Sequence, residues 1–188
     1  MKKWLLVAIG LTPIAGLFAL LAWGTLRPNA NPGSLAVFNK AGEVASHIST
    51  APRFSLDLYK GGQFDSTTLK GKIVMIDFWA SWCPPCEAEA LGIQRVWQEY
   101  KDRGDIAFVG VALWDRDQDV RAFLDRTEST YVVGKDPKGA LAVEFGVTGI
   151  PEKYFIAPNG QVLRKFVGPM DEQRLKALLD DLIARKGG

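Results

Sequence analysis

The chain has two cysteines, Cys83 and Cys86, set in Trp82-Cys83-Pro84-Pro85-Cys86. A pair at this spacing can cycle between dithiol and disulfide if one sulfur is held as the thiolate, the species that attacks disulfides. A free thiol titrates near ~8.5, and within C-x-x-C at a helix N-terminus the value falls to roughly 3.5–7.5. The flanking sequence supplies such a terminus. An apolar run from Ile73 to Trp79 precedes the pair, and Ile93, Val96, Trp97 and Tyr100 follow at helical spacing. A strand feeding a helix places Cys83 where unpaired N–H groups and the helix dipole favour negative charge. Cys83 reads as a nucleophile and Cys86 as its partner.

Three plainer readings compete. A structural disulfide closing so short a loop gains little stability. A structural zinc site needs four ligands, and the chain offers two cysteines and the distant His47. Two inert buried thiols leave the double proline and the flanking tryptophans unexplained. Redox chemistry accounts for more of the pattern than any of these. Asp77, six residues before Cys83, lies within the apolar run. A polar group buried there costs about 2–7 kcal/mol unless it is paired or protonated; the alternative is a strand-edge aspartate facing water.

Phe78-Trp79-Ala80-Ser81-Trp82-Cys83-Pro84-Pro85-Cys86, followed later by Gly146-Val147-Thr148-Gly149-Ile150-Pro151-Glu152, resembles the thioredoxin superfamily. More narrowly it resembles the membrane-tethered TlpA, ResA and CcmG (DsbE) branch, from about Ala51 to the C-terminus. The resemblance implies a thiol-disulfide oxidoreductase with Cys83 and Cys86 as the redox pair and no cofactor or metal. It also implies that Asp77 accepts a proton from Cys86. Pro151 is expected to be cis, opposite the cysteines, with the backbone before it pairing with an extended substrate segment. Glu89 and Glu152 stand where cytochrome-maturation members carry acids, which would oppose thiolate formation; otherwise they are ordinary surface glutamates. By resemblance the substrates are exported disulfide-containing proteins, among them apocytochrome c or its maturation factors. Broader extracytoplasmic reduction, including oxidase copper-site assembly, is the alternative. A copper chaperone fits poorly, because such carriers use a wider cysteine spacing and a later histidine, and none follows Cys86. Peroxide reduction fits poorly too, since a peroxidatic cysteine does not usually open a C-x-x-C.

The remaining chain must position and deliver this pair. Lys2 and Lys3 precede an uncharged apolar run, Trp4 to Leu26. About 20 helical residues span a bilayer, so residues 1–26 read as an anchor; a cleaved signal peptide would have a shorter apolar core, about 7–15 residues. The lysines place the N-terminus in the cytoplasm and the body on the periplasmic side. A reductase there must be recharged, and a single membrane helix carries no electrons, so the resemblance points to a DsbD- or CcdA-type donor. Residues 27–50, with Pro28, Asn29, Asn31, Pro32, Gly33 and Ser34, read as a linker, and 51–188 as the thioredoxin-like domain.

Within that domain the expected architecture is α/β: a mixed central sheet with helices on both faces. Phe54 to Leu58 and Gln63 to Ser66 form an N-terminal hairpin, Ile106 to Leu113 a strand parallel to the apolar run, and Thr130 to Val133 with a neighbouring helix an insert. Pro158-Asn159-Gly160 turns a second hairpin, and Leu175, Leu178, Leu179, Leu182 and Ile183 mark a final amphipathic helix. The net charge of +2, without a basic stripe, argues against a nucleic-acid partner. Asp115, Asp117 and Asp119 imitate half of a calcium loop, but Val120 replaces its turn glycine and Arg126 its closing glutamate.

Overall fold

The computed structural model describes residues 36–38 and 40–186, together with Gly16. In chain order the strands are β1 (Ala36–Val37), β2 (Gly42–Val44), β3 (Ser55–Leu58), β4 (Gln63–Asp65), β5 (Ile73–Trp79), β6 (Ile106–Leu113), β7 (Val132–Asp136), β8 (Gly149–Ile150), β9 (Glu152–Ile156) and β10 (Val162–Val167). The helices are α1 (Pro84–Tyr100), α2 (Asp117–Arg126), α3 (Ala140–Phe145) and α4 (Glu172–Lys186).

All seven residues of β5 are buried, as a strand covered on both faces requires. It pairs in parallel with β6, and β6 in parallel with β7. On its other side β5 pairs antiparallel with β9, which continues through β10 to β2. The sheet order is β2-β10-β9-β5-β6-β7-β3-β4, so the β3–β4 hairpin forms one edge. This is the mixed sheet of a thioredoxin-like fold, with β7 as the inserted strand.

Alternation along β5 sorts the two faces. Asp77 and Trp79 face α1 and α2: Lys153 links Asp77 to Glu89 of α1, and Trp79 stacks on Phe123 of α2 at 4.5 Å. Phe78 faces the other way, 5.3 Å from Phe145 of α3. The last helix lies beside α1, tied by Tyr100 Oη donating to Asp180 at 2.5 Å. At the β9–β10 turn, Asn159 Oδ1 accepts from Gln161 N and Gly160 takes φ 90°, the left-handed region a tight turn requires.

The chain enters the fold earlier than a linker over 27–50 allows. β1 pairs in parallel with β8, and β2 pairs antiparallel with β10. Backbone bonds hold these short strands where the side-chain pattern is silent. Among the described residues, no helix is long and apolar enough to cross a membrane. The apolar run Trp4 to Leu26 falls outside the described residues, apart from Gly16.

Candidate active site

Cys83 is the N-cap of α1, in extended conformation, with Pro84 and Pro85 occupying the first helical positions. Proline fits there because first-turn N–H groups lack intrahelical partners. Cys83 and Cys86 form a disulfide with their Cα atoms 5.3 Å apart. Cys86 N donates to Cys83 Sγ at 3.3 Å. The helix terminus therefore directs an N–H at the first sulfur, the arrangement that favours negative charge there. Both cysteines are buried, whereas Trp82 beside them is half exposed.

The loop between β5 and α1 is clamped by Trp114 and Asp115, the two residues that follow β6. Ser81 donates to Asp115 through its backbone N at 2.5 Å and its hydroxyl at 2.9 Å. Trp82 Nε1 donates to Trp114 O at 3.4 Å. Trp114 has φ 45°, and a Cβ on Gly139 would overlap its ring, so that close approach requires glycine. Asp115 thus fixes the approach to Cys83. The other two aspartates of the calcium-like run are also engaged: Asp117 pairs with Lys135, and Asp119 with Arg116 at 2.5 Å.

Between β5, β9 and α1 lies a buried cluster of three titratable groups, Asp77, Lys153 and Glu89. Asp77 is 2% exposed, Glu89 6% and Lys153 0%, which removes the water-facing alternative for Asp77 and the surface alternative for Glu89. Lys153 stands directly opposite Asp77 in the β5–β9 ladder. Its Nζ lies 3.0 Å from Asp77 Oδ1 and 2.5 Å from Glu89 Oε1. The well-directed hydrogen bond goes to Glu89; Asp77 Oδ1 receives none among the described residues. Met170 N donates to Glu89 Oε2 at 2.7 Å. Burial raises the Asp77 carboxyl above its ordinary range despite the lysine. Burial likewise pushes Glu89 up to about 7, with Lys153 opposing the shift and Asp77 adding to it.

Glu152 is fully buried as well, and so is no surface glutamate. The Ile150–Pro151 peptide bond is cis. The register Phe78↔Glu152 sets Pro151 level with the end of β5, where the chain turns toward Cys83. Glu152 Oε1 lies 2.7 Å from Lys165 Nζ and accepts from Tyr154 Oη at 2.8 Å. Thr148 donates to Oε2 through its backbone N and its hydroxyl, each at 3.3 Å. Neither acid is an unpaired carboxylate beside the thiols, since each has a buried lysine.

The backbone before Pro151 is already paired. Phe38 N donates to Ile150 O at 2.8 Å, and Ala36 N to Thr148 O at 3.3 Å. A Cβ on Gly149 would overlap Ala36 O, so this close approach also requires glycine.

The AhpC/TSA family model matches residues 49–165. The chain belongs to that family. It is 36% identical over 114 residues to a thiol-disulfide oxidoreductase ResA of Oceanobacillus iheyensis, a match covering 61% of this chain and 59% of the relative. It is 31% identical to the thiol:disulfide interchange protein HelX of Rhodobacter capsulatus, covering 84% of this chain and 82% of that one. A secreted Mycobacterium tuberculosis disulfide oxidoreductase, homologous to DsbE of E. coli, superposes with a TM-score of 0.63 at 25% identity. That match covers 69% of this chain and 96% of the solved one. All three are named for thiol-disulfide chemistry, and Cys83 with Cys86 supplies the sulfur pair it needs. Sequence reasoning missed Lys153, Lys165 and the Asp115 clamp. The one available signal was an opposite charge inside each of two apolar strands, Asp77 in one and Lys153 in the other.

Proposed function

We propose that the protein is a membrane-anchored, extracytoplasmic thiol-disulfide oxidoreductase that reduces disulfides in exported proteins. The substrates are apocytochrome c, through its haem-binding cysteines, or the factors that mature it. The observation that carries this reading is the Cys83–Cys86 pair at the N-cap of α1, with an N–H directed at the first sulfur.

In the reduced protein the Cys83 thiolate attacks a target disulfide, forming a mixed disulfide and releasing one target thiolate. Cys86 then loses its proton with the help of Asp77 and attacks Cys83 Sγ. The intramolecular disulfide forms again and the second target sulfur leaves, so two electrons have passed to the target. A membrane donor of DsbD or CcdA type returns them. A target strand adding beside Pro151 replaces the bond from Phe38 N to Ile150 O with its own. The charge and length of residues 1–26 support an anchor with the C-terminal domain on the periplasmic side.

A broader extracytoplasmic reductase is the second reading, favoured by Asp77, a feature of thioredoxin itself by resemblance. Trapping separates the two. Cys86→Ser in the full chain should accumulate mixed disulfides through Cys83. Recovery of cytochrome-maturation proteins supports the first reading, and their absence from the trapped set selects the second.

A further inference from the structure

β1 lies along β8, the strand that ends at the cis Ile150–Pro151 bond, with Ala36 beside Gly149 and Val37 beside Ile150. Ala36 N and Phe38 N face β8 and donate to Thr148 O and Ile150 O. Pro151 sits level with the end of β5, so β1 covers the edge backbone nearest the turn toward Cys83. We propose that β1 and Phe38 form a displaceable strap: in the resting protein this segment occupies the edge that a target strand must use, and it leaves when a target is bound. This rests on the oxidoreductase reading above.

The groove is fitted to the segment. Gly149, two residues before Pro151, leaves room for Ala36 O and the Phe38 ring, both of which a Cβ would overlap. Gly168, whose N donates to Pro151 O at 2.8 Å, leaves room for Lys40 O in the same way. Glycines on both sides of Pro151 therefore admit the chain's own backbone. Further along, β2 pairs with β10, and Glu43 with Arg164 at 3.1 Å. The segment is thus secured at its C-terminal end, and β1 can leave β8 while β2 stays in place.

The hold on β8 is weak. β1 is two residues long, and Ala36 and Val37 are both exposed, while Phe38 is partly buried. Segments with few buried apolar contacts open at small free-energy cost. A target strand needs the edge open, so its apparent affinity falls by the fraction of time the strap is away. Once Cys83 has formed the mixed disulfide, the target is tethered and competes at high effective concentration, which keeps the strap out. When Cys86 releases the target, the strap closes again and helps to displace it. A strand that is a permanent part of the sheet would instead stay paired throughout.

The test compares two disulfides against the reduced full chain. One is 5,5′-dithiobis(2-nitrobenzoate), which reaches Cys83 without adding a strand. The other is an oxidised peptide of about ten residues carrying C-x-x-C-H, which adds one. Phe38→Pro removes the N–H that bonds Ile150 O. The peptide should then be reduced about fivefold faster, the weight of one net backbone hydrogen bond in an equilibrium. The small disulfide should react at an unchanged rate. If Phe38→Pro does not fold, Ala36→Pro removes the bond to Thr148 O and should act in the same direction. Hydrogen exchange reads the displacement itself. In the Cys86→Ser chain, with Cys83 joined to a single-cysteine peptide, the Phe38 amide should exchange about tenfold faster than in the free protein. A peptide rate that does not rise, an equal rise for both disulfides, or a Phe38 amide as protected with the peptide as without it overturns the proposal. An unaltered chain that reduces neither disulfide overturns the oxidoreductase reading instead.

Discussion

Two buried charged clusters flank the cis proline, and they are built on consecutive residues. Glu152 and Lys153 point to opposite faces of β9 because successive strand side chains alternate. On the α3 side, Glu152 meets one lysine, Lys165, and three further donors, from Tyr154 Oη and from Thr148 N and Oγ1. Lys165 also donates to Gly146 O, at the end of α3. Charge and hydrogen bonds both balance there. On the α1 side, one lysine serves two carboxyls, and Asp77 Oδ1 lacks a directed donor. A saturated cluster holds elements together, whereas an unsaturated one can take up and release a proton. The side packed against the active-site helix is the unsaturated one.

The first way to break this contrast is to remove each cation in turn. Lys165→Met leaves Glu152 buried without a counter-charge, and the expected loss is about 3–5 kcal/mol in urea unfolding. A loss below that of Lys153→Met would reverse the assignment of roles.

The contrast sharpens with pH. Glu89 rises from 4.5 in the unfolded chain to about 7 in the fold. A raised carboxyl contributes stability that is complete below 4.5 and disappears as pH climbs through about 7. The oxidised protein should therefore lose on the order of 3 kcal/mol across that window. Glu89→Gln should flatten the curve, and a curve of unchanged slope would mean that Glu89 does not titrate there.

Lys153→Met is expected to cost less than its counterpart, on the order of 1–3 kcal/mol, because a proton can replace the lost charge on Asp77 or Glu89. Asp77→Asn should slow release of the mixed disulfide at neutral pH. Unchanged reduction kinetics would remove Asp77 from the mechanism. Least of all, Glu87→Gln, which breaks the exposed pair with Arg126, should change stability by no more than about 0.5 kcal/mol.

Much of this architecture is legible in the sequence where burial writes a pattern. The unbroken apolar runs of β5 and β6, the helical spacing behind Cys86 and the Pro158-Asn159-Gly160 turn each announce their element. β1 and β2 do not, because their side chains are mostly exposed and carry no apolar pattern, although Glu43 of β2 pairs with Arg164 of β10 at 3.1 Å. The cysteines and Asp77 were likewise visible as residues out of character with their neighbours. That Lys153 faces Asp77 depends on the β5–β9 register, which no local pattern encodes. The insert is partly legible: Val120, Phe123 and Leu124 mark α2, but β7 begins at Val132, later than the run from Thr130 suggests.

The central claim is that Cys83 is the attacking sulfur because α1 directs an N–H at it. Alkylating the reduced full chain with substoichiometric iodoacetamide at neutral pH, then mapping the modified peptide, tests this most directly. The account predicts label on Cys83 well ahead of Cys86; label on Cys86 first, or on neither sulfur, would contradict it.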